Sequence, residues 1–420
     1  MIKVDLNQIV IALADALDLV GVDEVAHGKR VGYMAFKCAH DMGRDKTARE
    51  RLFNIGLLHD CGVSSTREHS KLVTEVQWEG AEAHAREGAT LLRTFTPFRD
   101  YAEAVRFHHT AWSDLTGMPQ LDLRTKLDAN LIFMVDRIDA RSAAHYGVDL
   151  MEKTEEIRAW LGDYAGTLFA PELVELFLQV SASDAFWMML EPPHLDRFIF
   201  DMSQHADSRE LALEEIKQLS RIFAYIVDAK SEFTAMHSFG VAHLARHLAQ
   251  AAGLDRQHMD KIEIAGLLHD IGKLRIPDDV LEKTGPLNET ERHAMHRHSF
   301  ETYQVLRRID GFNEIALWAS YHHETPDGEG YPFRRHGDEL SIEARIISVA
   351  DVFQALAQTR PYRPAMETHA ILQHLHEMAA NEKLDPRIVA LVANDPVACY
   401  QAAVSPLEDS ALLMLHAHHH

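Results

Sequence analysis

Seven side chains in the second half of this 420-residue chain have the types and order of a metal site: His237, His269, Asp270, His298, His322, His323 and Asp351. Neutral imidazole and carboxylate suit borderline transition metals such as iron or manganese, with zinc also open. One ion in a helical scaffold uses about four such donors and must leave room for water. Seven exceed that number and point to two ions, with Asp270 as the natural bridge because a carboxylate has two oxygens to share. Two ions roughly 3.5–4 Å apart can activate a bridging hydroxide and clamp a phosphoryl oxygen, which is the apparatus of phosphodiester hydrolysis. Any one of these histidines could be a core residue satisfied by a backbone carbonyl. The ordered set of seven is hard to explain that way.

The set occurs twice. NIGLLHDCG at 54–62 recurs as IAGLLHDIG at 264–272, an offset of 210 that also relates His27 to His237. His59-Asp60 answers His269-Asp270, His84 answers His298, His108-His109 answers His322-His323, and Asp136 answers Asp351. The offset drifts to 215, as small loop insertions would produce. Matching positions in constant order indicate two copies of one domain.

The elements that must position these residues read as helices. KIEIAGLLHDIG and ARERLFNIGLLHDCG carry apolar residues at i, i+3 and i+4. TGPLNET, TPDGEGYPF and LDPRI are turn signals between them. ARIISVADVFQALA could be taken for a buried strand, but its length and alanine content favour a helix. The fold class is therefore all-α, in two tandem domains over 1–200 and 201–410. The boundary is expected near EPPHLDRF (191–198), where Pro192-Pro193 stops a helix. A long helix over 208–230 would lead into the second domain. The final HAHHH at 416–420 reads as a tag remnant.

Bulk properties exclude several classes. No run of about 18 apolar residues is present, and the N-terminal stretch is broken by Asp5, Asp15 and Asp18, so neither a membrane span nor a secretion signal is expected. Cys38, Cys61 and Cys399 are an odd, widely spaced set, which argues for a reducing cytoplasm rather than a disulfide framework. A net charge of −22 repels bulk nucleic acid. A small anionic substrate remains compatible if a local cluster of cations overrides the global field.

The run His237…His269-Asp270-Ile271-Gly272-Lys273…His298…His322-His323-Glu324-x-x-Asp327-Gly328-x-Gly330-Tyr331-Pro332…Asp351 resembles the HD-GYP domain over about residues 205–400. This is a branch of the HD phosphohydrolase superfamily. The resemblance implies a helical domain holding two or three metal ions that linearises a bacterial cyclic dinucleotide. It implies that His322 and His323 ligate a second metal, and that Asp270 and Lys273 are catalytic, Lys273 contacting phosphate or protonating the leaving 3′-oxygen. It also implies substrate contacts from Tyr331, Arg360 and Arg363, while Gly328, Gly330 and Pro332 build a rigid turn. Three-metal members carry a glutamate four residues before the first histidine. Here that residue is Phe233, with Glu232 beside it on another helical face, so two divalent ions, iron or manganese, are expected.

In the first copy His27, His59, Asp60, His84, His108, His109 and Asp136 form a second candidate ligand set. However, Val63 replaces the lysine, and neither the Gly-Tyr-Pro loop nor the paired arginines recur. This copy resembles a degenerate HD domain, either one that binds metal without catalysing and regulates or pairs with the second copy, or a decayed duplicate whose histidines only pack. The expected substrate is 3′3′-cyclic GMP-AMP or cyclic di-GMP. The competing readings are a non-cleaving sensor and a general nucleotidase, and a homodimer is compatible with either.

Overall fold

The computed structural model describes residues 4–21, 26–74, 80–205, 209–231, 236–359 and 364–404. Among them there are helices, short 3-10 turns and three isolated bridges, but no strand. The chain divides into two compact units, Leu13–Ser208 and the combination of Met1–Ala12 with Arg209–His420. The first residues, carried with the N-terminal copy in the sequence reading, thus group with the C-terminal one. Leu6 N–H donates to the Arg209 carbonyl at 3.0 Å and Leu211 N–H to Val4 at 2.9 Å. The Pro192-Pro193 pair opens the helix Pro192–His205, since a proline at the first helical position has no N–H to lose. The expected leading helix is Leu213–Asp228, and ARIISVADVFQALA lies in the helix Ile342–Ala357.

Each unit uses the same five ligand-bearing segments. In the C-terminal unit these are the helices His237–Ala251, Arg256–Leu268, Glu289–Leu306, Asn313–Ser320 and Ile342–Ala357. Their N-terminal counterparts are His27–Asp41, Lys46–Leu58, Ala81–Thr94, the single turn Ala102–Arg106, and Leu123–Ser142. The caps repeat as well. Asp45 accepts from Ala48 N–H at 2.8 Å, and Asp255 accepts from His258 N–H at 2.9 Å. Such a cap is worth about 1 kcal/mol per helix. Asn288 and Glu291 form a reciprocal capping box on the helix that carries His298.

The apolar stripes pack inward. Val241, Leu244, Leu248, Ile262, Ile264, Ile346, Ile347, Val349 and Phe353 are fully buried in the C-terminal unit, as are Val31, Met34, Ile55, Leu58, Ile132 and Val135 in the N-terminal one. Each such side chain contributes about 1.5–3 kcal/mol of transfer free energy. The consequence for function is rigidity: the ligands project from helix ends clamped on this core.

Candidate metal centre

His269 and Asp270 follow the last turn of the helix Arg256–Leu268, and His237 is the first residue of its own helix. Met236, just before it, sits in the left-handed region with φ 66°, and Ala26 before His27 does the same at φ 84°. A non-glycine residue held there stores about 1–3 kcal/mol, and both copies use it to aim the first histidine. Asp228 anchors that helix start, accepting from Ser238 N–H at 3.0 Å and Ser238 Oγ at 2.7 Å. Asp18 accepts from Gly28 N–H at 3.1 Å in the other unit.

Glycine at the HDxG position has a steric cause. A Cβ on Gly272 would lie 2.0 Å from the His298 carbonyl oxygen, and one on Gly62 would lie 2.1 Å from that of His84. The loop after each His-Asp pair therefore crosses the backbone of the next ligand helix at a distance only glycine permits. Thr302 pins the crossing: its hydroxyl donates to the His269 carbonyl at 3.0 Å and accepts from Gly272 N–H at 3.1 Å.

The seven predicted ligands of the C-terminal unit converge. His237, His269 and Asp351 offer donor atoms within 4.8 Å of one another, as do His298, His322 and His323, and His269, Asp270 and His322. Asp270 stands between the two groups. Its Oδ2 is 3.5 Å from His237 Nε2 and 3.2 Å from His269 Nε2, while its Oδ1 is 3.5 Å from His298 Nε2 and 3.7 Å from His322 Nε2. Asp351 Oδ1 is 3.1 Å from His237 Nε2, and its Oδ2 is 3.9 Å from His323 Nδ1.

Tautomers are set from behind. The Nδ1 atoms of His269, His298 and His322 lie 2.8, 2.6 and 2.6 Å from the carbonyls of Gly266, Met295 and Ala319, so Nδ1–H donates and Nε2 keeps its lone pair. His237 Nδ1 is likewise held by the Gln354 side-chain oxygen. The Nε2 atoms of His298 and His322 then face each other at 3.1 Å. Two lone pairs at that distance repel unless a cation lies between them. His237 Nε2, His269 Nε2 and Asp270 Oδ1 are buried without a hydrogen-bond partner of acceptable geometry. These orphaned donor atoms, aimed at one space, fit divalent ions.

Electrostatics agree at four of the five histidines; at His269 burial is outweighed by the neighbouring Asp270, which raises it. Burial pushes the His298 imidazole down to about 3 and that of His323 to about 4, and lowers His322 too, so all three are neutral, the ligating form. Burial works against ionisation of Asp270, but the neighbouring His269 and Lys273 outweigh it and hold the carboxyl well below its usual range. Lys273 Nζ lies 2.5 Å from Asp270 Oδ2.

The loop after His323 is locked. Glu324 is buried and accepts from Phe333 N–H at 2.6 Å and Arg335 N–H at 2.8 Å. Asp327 pairs with Lys383 at 2.5 Å. Gly328 has φ 78°, and a Cβ there would strike His336. The Tyr331 ring lies 4.8 Å from that of His323, at the edge of the centre.

The N-terminal unit builds the same arrangement. Asp60, His84, His108 and His109 group together, as do His27, His59 and Asp136. Asp60 divides its oxygens as Asp270 does: Oδ2 lies 3.4 Å from His59 Nε2, and Oδ1 lies 3.3 Å from His84 Nε2 and 3.6 Å from His108 Nε2. The differences are chemical. Val63 is buried where Lys273 would stand. Arg137 is buried and holds Asp136 Oδ2 at 2.9 Å. His27 Nδ1 faces a carboxylate, Asp139, at 2.8 Å, where His237 faces an amide. Burial alone would lower His27, but Asp139 prevails and raises it to about 9.

An HD domain model matches residues 208–388, and a second HD domain model matches residues 25–142. The chain is 35% identical over 413 residues to 3′3′-cGAMP-specific phosphodiesterase 1 of Vibrio cholerae, covering 97% of this chain and 96% of that one. The chain belongs to the HD-GYP family. The cyclic di-GMP phosphodiesterase response regulator of Xanthomonas campestris is 38% identical over 186 residues, covering 44% of this chain and 49% of its own. Among solved structures, the cyclic GMP-AMP phosphodiesterase V-cGAP3 of V. cholerae matches with a TM-score of 0.65 at 24% identity, over 93% of this chain and 97% of that one, which shows a common fold.

For this HD-GYP chain, Arg360, Arg363, Phe233, Glu232 and the 416–420 stretch lie outside the described residues. Sequence reasoning missed the supports: Asp18 and Asp228, Asp139 and Gln354, and Arg137. The 210 offset pairs Asp18 with Asp228, and the 215 offset pairs Asp139 with Gln354. That signal was available, in residues that lie outside the ordered set of seven.

Proposed function

We propose that the C-terminal unit hydrolyses one phosphodiester of a cyclic dinucleotide to give the linear product, with 3′3′-cyclic GMP-AMP as its substrate. The carrying observation is Asp270 dividing its oxygens between two histidine groups, with Lys273 against it. The similarity to the V. cholerae enzyme along nearly the whole of both chains supports the choice of substrate over cyclic di-GMP. Two divalent ions, iron or manganese, would be held by His237, His269, Asp270 and Asp351 and by Asp270, His298, His322 and His323. Bound there, they supply a Lewis acid for the phosphoryl oxygens and water of lowered pKa.

The chain's own groups do the rest. Asp270 and Asp351 fix the spacing of the two positions. Water adds at phosphorus, the P–O3′ bond breaks, and the leaving oxygen takes a proton, for which Lys273 is the donor at hand. Tyr331 bounds the substrate side. Arg360 and Arg363 follow Asp351 in sequence and bind phosphate through their planar guanidinium forks.

The seven N-terminal ligands hold metal without catalysing, because no lysine accompanies Asp60 and Arg137 occupies Asp136. Among the described residues no helix is long and apolar enough to cross a membrane, which suits a cytoplasmic substrate.

The test is anaerobic hydrolysis with iron(II) or manganese(II), giving 3′3′-cyclic GMP-AMP and cyclic di-GMP separately and resolving products by chromatography. Linear dinucleotide from the wild type and none from Asp270→Asn supports the reading. Intact substrate with both ions bound overturns it.

A further inference from the structure

A groove of about 690 Å³ opens beside the C-terminal centre, outside its ligand set. That volume is within the range of small-molecule sites. One wall is a stripe of the helix Glu289–Leu306, formed by Arg292, His293, His296, Arg297 and Phe300 at the spacing that places side chains on one face. The other wall is the loop that carries Tyr331 and Arg334. Tyr331 belongs to both places. Its ring lies 4.8 Å from His323 and stacks on His296 at 3.8 Å with the planes 8° apart. The groove therefore begins where the centre ends, one aromatic ring away.

Three guanidiniums collect here in a chain of net charge −22. Arg297 is tied to Glu301 at 2.7 Å and Arg292 reaches the Leu287 carbonyl at 3.5 Å, and Arg292, Arg297 and Arg334 are all exposed. The carboxylates of the lining, Glu289 and Glu329, are exposed as well. Phe300 is 42% exposed, an apolar face turned to solvent beside cations. Guanidinium forks pair with phosphate oxygens, and aromatic faces stack on bases.

We propose that this groove is the subsite for the half of the substrate that is not being cut. Its phosphate pairs with Arg292 and Arg334, and its base lies against Phe300. The proposal rests on the phosphodiesterase reading above: a cyclic dinucleotide with one diester at the centre has a second phosphate and a purine left to hold.

The test compares 3′3′-cyclic GMP-AMP with bis(p-nitrophenyl) phosphate, a diester too small to span both places. In Arg292→Ala/Arg334→Gln the KM for the dinucleotide rises about ten-fold while kcat stays within about two-fold, as expected for loss of charge-assisted hydrogen bonds. The ratio of kcat/KM for the dinucleotide to that for the small diester falls by the same factor. Phe300→Ala, on an exposed position, moves the ratio in the same direction. An unchanged ratio in both variants, or an equal fall in kcat for both substrates, overturns the subsite while leaving the phosphodiesterase reading intact. A wild type that cuts the small diester and no cyclic dinucleotide overturns that reading and the subsite with it.

Discussion

Lys273 Nζ sits 2.5 Å from Asp270 Oδ2, on the carboxylate that joins the two histidine groups. The ammonium reaches the centre without being able to ligate, because a protonated lysine has no lone pair. The proposed reaction therefore gives it two roles, to hold Asp270 and to deliver a proton. Lys273→Met should lower kcat by about a hundred-fold, the lower end for a lost general acid. Bound iron or manganese should remain near the wild-type amount. Metal analysis alongside product chromatography separates the two roles, since loss of metal with loss of rate would make Lys273 a support of Asp270 only.

Asp60 is the counterpart of Asp270 in geometry but has Val63 for company. Asp60→Asn should remove metal from the N-terminal unit and leave cyclic-dinucleotide hydrolysis in place, whereas Asp270→Asn should abolish hydrolysis. Metal-to-protein ratios of the two variants and the wild type check this. Hydrolysis lost in Asp60→Asn would show that the N-terminal centre takes part in turnover.

Both candidate ligand sets are legible in the sequence because metal chemistry restricts residue type, and a repeat with a nearly constant offset shows which histidines recur and converge. The helical class follows from apolar spacing and from caps such as Asp45 and Asp255. The supports are harder to read. Gln354 is an ordinary residue until His237 Nδ1 is seen against its side-chain oxygen. Arg137 reads as a helix-surface cation, yet it is buried against Asp136. The stack of His296 on Tyr331 joins residues 35 apart in sequence through a loop closure that no local pattern announces. The grouping of the first twelve residues with the C-terminal unit depends on pairing such as Leu6 with Arg209, a contact between distant segments with no periodic signature.

Gly272 tests the crossing that positions His269 against His298. A methyl group there must displace the His298 backbone, since its Cβ would lie 2.0 Å from that carbonyl oxygen. Backbone yields less readily than a side-chain tip, so Gly272→Ala should destabilise the C-terminal unit by about 3 kcal/mol, the upper part of the overpacking range. Metal content should fall with it. Thermal denaturation and metal analysis check the pair. A stable, metal-free variant would mean that the crossing serves ligand geometry more than folding.

Asp228 offers a pH test at a group that is not itself among the predicted ligands. Burial pushes its carboxyl up to about 7 from an ordinary 3.8, partly opposed by its hydrogen bonds from Ser238. The folded state thus binds this proton more tightly than the unfolded chain does. Between about pH 4 and 7 the folded state carries more of the proton, so this group's contribution to stability falls as pH rises through that window and is level above it. Asp228→Asn has no proton to lose and should show no such slope. In metal-stripped protein, the denaturation midpoint of the wild type should therefore gain on that of Asp228→Asn as pH is lowered from 7 to 4. Parallel midpoints across the window would mean that Asp228 is ionised in the fold throughout, its charge held by the helix start it caps.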